Sequence, residues 1–370
     1  MDLILLGKRD SSLGVTEGTR KKIKSSNRKW YTLARRYKFD IFLRGYSKQR
    51  KREIFSAFAY AIRHNFAGRT SRDELRGRTV RAEVNAVSAS FRSLGFPEPI
   101  RDRFGRLPRN LEHQLSHYDS EDPPETKEVP LPLQVFLELL LDRSSSLNIA
   151  TNDLIIGALF LGCRSCEYTK TPASAEKKTK PLTVNDFVFF SKSNKKLRHD
   201  DPLLASKVYR ARVTFRDQKN GEKCEQIVIK ISSNTLCGVQ AWVRTIQRIR
   251  SYPGATNDLP VFTFFDRHRR EFKHITSTMV LTTLRDTVTL LGPDKIGVPL
   301  RLVGTHSVRI SFAMLLILCG APDSLIKQKG RWKSDAFLRY IRTYVNKYGD
   351  DSSAMISNER TGNFMSLGFI

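Results

Sequence analysis

Apolar residues in the first part of the chain recur at the spacing of amphipathic helices. The run IFSAFAYAI gives residues 47–65 an apolar helical core behind a basic start. A second helix is predicted from the sequence SRDE at residues 71–74, which resembles a capping box, to Gly95, which can end it. Its apolar positions lie three or four residues apart: Val80, Val84, Val87, Phe91 and Leu94. Because aromatic residues begin near position 27, the pattern predicts a small helical bundle over residues 27–95.

The segments on either side of this bundle lack the helical spacing. Residues 1–26 are strongly basic and precede the aromatic residues, so we interpret them as an N-terminal tail. Residues 96–130 carry six prolines and the acidic stretch DSEDPPETKE. Proline density and lost periodicity are typical of a linker, which places a domain boundary there.

The pattern beyond residue 131 predicts helices, then strands, then helices again. Two helices are predicted over residues 133–143 and 153–161, and the β-rich runs DFVFFS, VYRARVTF and EQIVIKIS follow. The polar stretch DQKNGEK between the last two runs predicts a hairpin turn. Further helices are predicted over residues 239–250, 277–291, 306–318, 323–329 and 334–344. The expected fold is mainly α with a small antiparallel β-sheet: a helical bundle, then an α+β domain over residues 131–349 and a tail over 350–370.

The charge balance indicates the kind of partner. The 370 residues include 64 Lys and Arg against 37 Asp and Glu, a formal net charge of +27. Such an excess favours a polyanion, because each neutralised phosphate releases condensed counterions; DNA and an anionic membrane surface both qualify. No stretch is apolar for long enough to predict a membrane span, and no secretion signal is recognisable. The five cysteines, an odd number, favour a reducing compartment, so we expect an intracellular protein.

Two basic runs in the N-terminal part are candidate contacts to DNA phosphates. The runs are RKKIK at residues 20–24 and KQRKR at residues 48–52, and a solvated helix face is the alternative interpretation of both. The candidate DNA-binding residues are Arg20, Lys21, Lys22, Lys48, Arg50, Lys51 and Arg52. In a eukaryote the same runs could act as nuclear import signals; otherwise we expect the cytoplasm.

Residues with catalytic chemistry form four islands in the second part of the chain. The islands are GCRSCE with Arg164 and Glu167, DQKNGEK with Lys219, THSVR with His306 and Arg309, and GRWKSDAFLRY with Trp332 and Tyr340. In this order they resemble the signature of the tyrosine recombinase (phage-integrase-like) family. That family has an Arg in a Gly-x-Arg-x-x-Glu context, a hairpin Lys, a His-x-x-Arg pair, a Gly-x-Trp/His turn and a Tyr in a following helix. The segment GRWKSDAFLRYIR resembles recombinases of eukaryotic mobile elements more than bacterial resolvases.

The resemblance implies phosphoryl transfer on DNA. Tyr340 is the expected nucleophile, and a 3′-phosphotyrosyl intermediate with a free 5′-hydroxyl is the expected product. The other expected roles are phosphate binding by Arg164 and Arg309, transfer of the tyrosine proton by His306, proton donation to the leaving oxygen by Lys219, and packing or N–H donation by Trp332. No metal and no cofactor is implied, because the arginines supply the positive charge.

Alternatives stay open for several of these residues. Tyr344 lies one helical turn beyond Tyr340 and competes as the nucleophile, because the spacing from Trp332 to Tyr340 is shorter than is typical of the family. Lys223 competes with Lys219 on the hairpin, although an exposed hairpin position is the simpler interpretation of Lys223.

Glu167 and two cysteines also have two interpretations each. Glu167 either orients Arg164 or is an ordinary surface charge. Cys163 and Cys166 have the spacing of a metal or redox pair, but no second pair follows at ligand spacing, which favours free thiols.

For the whole protein, the resemblance implies a site-specific DNA recombinase or integrase that acts as a homo-tetramer on double-stranded DNA, away from membranes. The bundle would be a core-binding domain that forms a clamp with the catalytic domain, and residues 365–370 would dock on a neighbouring protomer. One alternative is a type IB topoisomerase, which shares the catalytic set. The other is a non-catalytic DNA-binding protein derived from a recombinase.

Overall fold

The computed structural model describes residues 17–64, 74–123, 127–171, 179–218 and 221–338. The chain divides into two compact units, Met1–Glu125 and Thr126–Ile370. Tyr340, Tyr344 and Lys219 lie outside the described residues, as do the predicted tail over 350–370 and most of the capping-box sequence at 71–74.

The first unit contains four described helices. They are α1 Glu17–Tyr37, α2 Lys48–Arg63, α3 Gly77–Ser93 and α4 Arg109–Glu121. Helix α2 begins where the Ser47 hydroxyl accepts a hydrogen bond from the Arg50 N–H at 3.2 Å. The Trp30 ring lies at the centre of the core, within 4.9–6.2 Å of the rings of Phe39, Phe55, Phe58 and Phe91. Burial of each such aromatic side chain stabilises the unit by about 1.5–3 kcal/mol.

Two boundaries in this unit differ from the sequence predictions. Residues 17–26, predicted as part of a tail, form the first turns of α1, because a polar helix can start well before its first buried residues. Helix α4 lies within residues 96–130, which were predicted to be a linker. Its side chains Leu111, Leu115 and Tyr118 are buried in the same core as Trp30. Proline density concealed this helix, since Pro108 occupies the position just before its first turn, where proline is tolerated.

The described part of the second unit contains eight helices and three short helical turns. The helices are α5 Leu133–Leu141, α6 Ser146–Phe160, α7 Ser165–Tyr168, α8 Leu204–Lys207, α9 Gly238–Arg250, α10 Ser277–Leu291, α11 Ser307–Leu318 and α12 Asp323–Gly330. Short 3-10 turns lie at Val184–Asp186, Leu300–Leu302 and Asp335–Phe337. Helix α6 is buried on every side from Ala150 to Leu159 and contacts α5, α9, α10 and α11. A helix that is buried all round needs neighbours on all faces, so α6 is the centre of this unit.

The second unit also holds a four-stranded antiparallel sheet. Its strands are β1 Phe187–Phe190, β2 Lys196–Leu197, β3 Arg210–Asp217 and β4 Lys223–Lys230, in the order β2-β1-β3-β4. Alternate residues of β3 (Ala211, Val213 and Phe215) face the core, as the period of a strand requires. The β3–β4 hairpin, paired from Arg210↔Lys230 to Asp217↔Lys223, is the one that the sequence predicts.

A second hairpin was not predicted. It consists of β5 Thr263–Asp266 and β6 Glu271–His274, joined by a turn of charged residues. The aromatic residues of the two strands were the available signal, and the density of charge between them hid it. The fold class is nevertheless the predicted one, mainly α with a small antiparallel sheet.

Candidate active site

The turn after α6 places Arg164 and Glu167 beside each other. Gly162 has φ +52°, and a Cβ there would lie 2.5 Å from the Phe312 ring, so glycine lets the chain turn sharply against α11. Arg164 then occupies the residue before α7, and its N–H donates to Glu167 Oε2 at 2.8 Å. Glu167 in turn lies in the first turn of α7, where a carboxylate is favoured by the helix dipole.

A second turn brings Arg331 into the same place from the far end of the unit. Helix α12 ends at Gly330, and Arg331 adopts a left-handed conformation with φ 57°. Its guanidinium binds Glu167 through two parallel bonds of 3.0 Å, Nη1 to Oε1 and Nη2 to Oε2, and lies 3.5 Å from the centre of the Phe215 ring. The side chain is 0% exposed. A fork-to-fork ion pair of this kind is the strongest form of Arg–carboxylate contact.

Arg309 reaches this point from the first turn of α11. Its terminal nitrogens donate to the carbonyl oxygens of Gly162 and Gly330, and its guanidinium lies 4.2 Å from the centre of the Trp332 ring. Only 2% of the residue is exposed. Burial, followed by the positive charges of Arg331 and Arg164, lowers the pKa of Arg309 to about 9, so it stays protonated at neutral pH.

Arg164 is the most exposed of the three arginines. Its Nη1 donates to Glu167 Oε1 at 3.0 Å and to Gln218 Oε1 at 3.2 Å, and its Nη2 donates to the Arg331 carbonyl at 3.3 Å. The Arg164 side chain is 19% exposed. Arg164, Arg309 and Arg331 are called the arginine cluster below.

The arginine cluster carries more positive charge than its direct carboxylate partner can neutralise. Burial alone would raise the pKa of Glu167, but Arg331, Arg164 and Arg309 outweigh burial and lower it, so the carboxyl is ionised. Three guanidinium charges thus surround one carboxylate charge. Holding this excess in a water-poor site is unfavourable by itself, so the electrostatics of the cluster favour a nearby anion.

Trp332 covers one side of the cluster. Its ring stacks near Phe312 and Phe337 at centroid distances of 6.3 and 5.7 Å. A Cβ on Gly330 would overlap the same indole ring, so the chain needs glycine where α12 meets Trp332. In the Gly-Arg-Trp sequence, Gly330 therefore allows the close approach of the indole ring, Arg331 is the buried ion-pair partner of Glu167, and Trp332 covers Arg309.

His306 sits at the start of the helix that carries Arg309. Its carbonyl accepts the N–H groups of Arg309 and Ile310, each at 3.0 Å. The backbone N–H groups of His306 and Ser307 bond to the carboxylate of Glu128, whose pKa is raised by burial in spite of these bonds. The residues after Glu128 also contact the segment around His306. The Val129 N–H donates to the Leu302 carbonyl at 3.1 Å, and the Leu131 N–H donates to Ser311 Oγ at 2.7 Å.

Gln218 connects the arginine cluster with the hairpin. Its side-chain oxygen accepts from Arg164 and, at 3.4 Å, from Arg331, and its amide group donates to Glu225 on β4. Gln218 directly precedes Lys219 in the sequence. Lys223, the alternative to Lys219, is exposed at the start of β4.

The structure thus brings together Arg164, Glu167, Arg309 and Trp332, and puts His306 one turn before Arg309. Sequence reasoning missed the contributions of Arg331, Gln218 and Glu128. Arg331 lies inside a motif that the sequence singled out, but an Arg between Gly and Trp gives no sign that its side chain turns inward.

Cys163 and Tyr168, close to the arginine cluster in the sequence, are buried and not activated for chemistry. Cys163 is buried with its thiol pKa raised by burial, and neither Cys163 nor Cys166 is in a disulfide. Tyr168 is also buried, and burial raises its pKa, which leaves it inaccessible as a nucleophile. Within the described residues, no three His, Cys, Asp or Glu side chains gather as metal ligands.

The basic runs lie on the surface of the first unit. Arg20, Lys21 and Lys22 are exposed on the first turns of α1. Lys48 and Arg50 are exposed at the start of α2, and Lys51 and Arg52 are half-buried there. The helices of the described ranges include none that is long and apolar enough to cross a membrane.

Comparison with known proteins gives structural likeness only. No family model matches the chain, and no curated protein matches it. A Tn1549 transposon integrase in complex with circular intermediate DNA is 14% identical over 80% of this chain and 81% of that chain, with a TM-score of 0.41. The XerH site-specific recombinase bound to a palindromic difH substrate is 15% identical over 88% and 74%, with a TM-score of 0.46.

A lambda integrase dimer bound to a COC′ core site is 13% identical over 91% of this chain and 93% of that chain, with a TM-score of 0.46. These similar structures are therefore recombinases and integrases by name. At these identities, and with TM-scores below 0.5, the likeness assigns neither an activity nor a substrate to this chain.

Proposed function

We propose that this chain is a site-specific DNA recombinase or integrase that cleaves and rejoins DNA strands through a phosphotyrosyl intermediate. The observation that carries the proposal is the convergence of three arginines from three separate parts of the second unit: Arg164 and Arg331 bind Glu167, and Arg309 binds the main-chain carbonyls of Gly162 and Gly330 beside them. A pre-organised site that is charged at neutral pH suits the negative charge that develops on a phosphodiester under attack.

In the proposed reaction, the Tyr340 oxygen attacks the phosphorus of the DNA backbone. The bond to the 5′-oxygen breaks, the phosphate stays on the tyrosine as a 3′-phosphotyrosyl ester, and the leaving strand ends in a 5′-hydroxyl. His306 takes the phenolic proton, and Lys219 gives a proton to the leaving oxygen. Attack by the 5′-hydroxyl of another strand reverses these steps and rejoins the DNA, so no external energy source is required.

The arginine cluster would hold the non-bridging phosphate oxygens. Arg164 keeps part of its surface open, and Arg309 uses one N–H of each terminal nitrogen on a main-chain carbonyl, which leaves further donors on the guanidinium. Arg331 is bound by Glu167 and buried, so its role is to position the other two rather than to contact DNA. The guanidinium groups themselves supply the positive charge that a metal ion supplies in other phosphoryl-transfer enzymes.

The remaining parts of the proposal concern the assembly. The exposed basic residues of α1 and α2 would bind phosphates of double-stranded DNA, and four copies would act on two DNA sites. Residues 365–370, outside the described ranges, would dock on a neighbouring copy. The segment GRWKSDAFLRYIR is the sequence feature that favours a eukaryotic mobile element, and hence the nucleus, as the source and place of action.

The test uses a suicide duplex that carries the DNA flanking the coding sequence and is nicked so that the cleaved strand is lost. Wild type is compared with Tyr340→Phe and Tyr344→Phe on a denaturing gel. A covalent band that disappears only in Tyr340→Phe is the expected result. Disappearance only in Tyr344→Phe would keep the reaction and move the nucleophile by one turn.

The hairpin lysines provide a matched pair in the same assay. Lys219→Ala is expected to slow formation of the covalent band by about 10²–10⁴-fold, and Lys223→Ala to leave it unchanged. Bound DNA without any covalent band in wild type would support a non-catalytic DNA-binding protein instead. Relaxation of a supercoiled plasmid by single copies, without strand exchange, would support a topoisomerase.

A further inference from the structure

The connection between α3 and α4 contains a tightly built turn at Asp102–Arg106. The Asp102 N–H donates to the Arg106 carbonyl and the Gly105 N–H to the Asp102 carbonyl, each at 3.0 Å. The Asp102 carboxylate also accepts the N–H groups of Phe104 and Arg106, at 2.9 and 2.8 Å. Gly105 has φ +77°, a conformation that L side chains rarely adopt. We call this segment the Phe104 turn.

The Phe104 turn is anchored to the body of its unit. Arg101, just before it, donates to the Gly105 carbonyl and to Asn85 on α3. Ile100 is buried in the aromatic core. The turn is therefore held in one shape from both sides, so a side chain at its apex is presented without a large loss of entropy on binding.

Phe104 is at that apex and faces solvent. It is 65% exposed, whereas most of the phenylalanines in the same unit are buried or partly buried in the core. Arg103 and Arg106 place their guanidinium groups 4.7 and 5.3 Å from its ring centre. The result is one aromatic side chain between two cations on a rigid support.

The surroundings of the turn are basic. The exposed Asp102 carboxylate accepts the main-chain N–H groups of Phe104 and Arg106, and these bonds, with the charges of Arg106 and Lys48, lower its pKa. Lys48, the first residue of the KQRKR run at the start of α2, is near enough for its charge to act on Asp102, so the run begins close to the Phe104 turn.

We propose that the Phe104 turn is a DNA-deforming contact, at which Phe104 enters a groove of duplex DNA and wedges against a base step while Arg103 and Arg106 bind the flanking phosphates. An apolar wedge flanked by arginines is the side-chain set that opens a base step from the minor groove. A membrane surface fits less well, because interfacial binding needs an extended apolar face and here a single apolar side chain protrudes. This proposal rests on the proposed function, since it gives the enzyme a second contact with the same DNA.

The experiment measures DNA unwinding rather than catalysis. Full-length protein with Tyr340→Phe, which silences strand cleavage, is bound to a nicked plasmid, and a ligase then seals the nick. A wedge that unwinds DNA leaves negative supercoils after the protein is removed. We expect supercoils with Phe104 present, nearly as many with Phe104→Leu, and few with Phe104→Ala at equal occupancy.

Affinity for a 30-base-pair mixed-sequence duplex is measured in parallel by fluorescence anisotropy. Phe104→Ala should weaken binding about tenfold, because loss of one stacked aromatic has an effect of that order. The matched control is Tyr37→Ala on α1, which also removes an exposed aromatic with an arginine near its ring, but outside any such turn. It should change neither affinity nor supercoiling. Because Phe104 is exposed, the variants should melt like wild type.

The outcomes separate this proposal from the proposed function. Equal supercoiling by Phe104 and Phe104→Ala would overturn the wedge, whether or not the covalent band forms. Phe104-dependent unwinding without any covalent band would support the wedge and leave the recombinase proposal unsupported. Phe104-dependent binding to phosphatidylserine vesicles but not to the duplex, or no DNA binding at all, would also overturn the wedge.

Discussion

The arginine cluster and the arginines of the Phe104 turn occupy opposite environments. In the second unit, the arginine cluster is almost entirely buried, and its guanidinium groups are fixed by Glu167, by Gln218 and by main-chain carbonyls. In the first unit, Arg103 and Arg106 are exposed and contact an aromatic ring at the apex of a turn. A buried charge costs much to place and is therefore fixed in position, which suits transition-state binding. An exposed charge is screened by water and ions, which suits encounter with a long polyanion.

The largest effect should come from breaking the buried ion pair. Arg331→Ala leaves the Glu167 carboxylate without its two parallel bonds and should lower the free energy of unfolding of the second unit by about 3–5 kcal/mol. Urea unfolding is followed by tryptophan fluorescence in a Trp30→Phe background, so that Trp242 and Trp332 report on this unit. A loss below about 1 kcal/mol would show that the pair contributes little. Arg331→Lys, which keeps the charge but not the fork, should recover only part of the loss.

A smaller effect is expected where the chain passes closely over Trp332. Gly330→Ala adds a methyl group into the space of the indole ring and should cost about 1–3 kcal/mol, through displacement of Trp332 from Arg309. The same urea titration measures it. Gly18→Ala in α1, measured with Trp30 retained as the reporter of the first unit, is the control, because a Cβ there meets nothing within 4 Å and should not destabilise the protein. An equal response of the two variants would contradict the packing argument.

Two carboxylates of the second unit should respond to pH in opposite directions. Burial raises the pKa of Glu128 above its usual value of 4.5, so its contribution to stability is complete below that pH and is lost as pH rises through the folded-state pKa. The pKa of Glu167 is lowered by the arginine cluster against the effect of burial, so its contribution is present above pH 4.5 and is lost as pH falls through its folded-state pKa.

The prediction compares Glu128→Gln and Glu167→Gln with wild type in urea from about pH 3 to about pH 7. Relative to wild type, Glu128→Gln should become more stable as pH rises, and Glu167→Gln less stable. If the stability of the two variants relative to wild type changed with pH in the same direction, the pKa values of Glu128 and Glu167 would not be shifted in opposite directions.

The smallest effect on stability is expected from the exposed arginines of the Phe104 turn. Arg103→Ala should leave the urea midpoint unchanged, because the residue is exposed and its ring contact is at the surface. It should instead reduce the slope of log affinity against log salt concentration by about 1 on a DNA duplex. A shift of the unfolding midpoint without a change in salt slope would reverse the assignment of roles to the two groups of arginines.

The sequence pattern was most informative where one local period dominates. Helices such as Ser277–Leu291 and the β3–β4 hairpin were predicted within a residue or two, because apolar spacing and turn residues agree there. Helix α4 was missed since the prolines on either side of it and its acidic residues outweigh three buried positions. In the site, the order of the motifs indicated Arg164, Glu167, Arg309 and Trp332 together. Their roles in catalysis, and those of Tyr340 and Lys219, stay predictions.

The sequence by itself determined the fold class, the excess of positive charge and the set of side chains that resembles a recombinase site. These follow from local periodicity and from residue type, which are written along the chain. Only the tertiary structure decided that Arg331 pairs with Glu167, that Gln218 joins the hairpin to the arginines, and that Phe104 faces solvent. The partners of the two pairs lie 164 and 54 positions apart (331 − 167 and 218 − 164). Contacts over such separations depend on how α6, α11 and α12 pack, and no local pattern encodes the direction of a side chain after that packing.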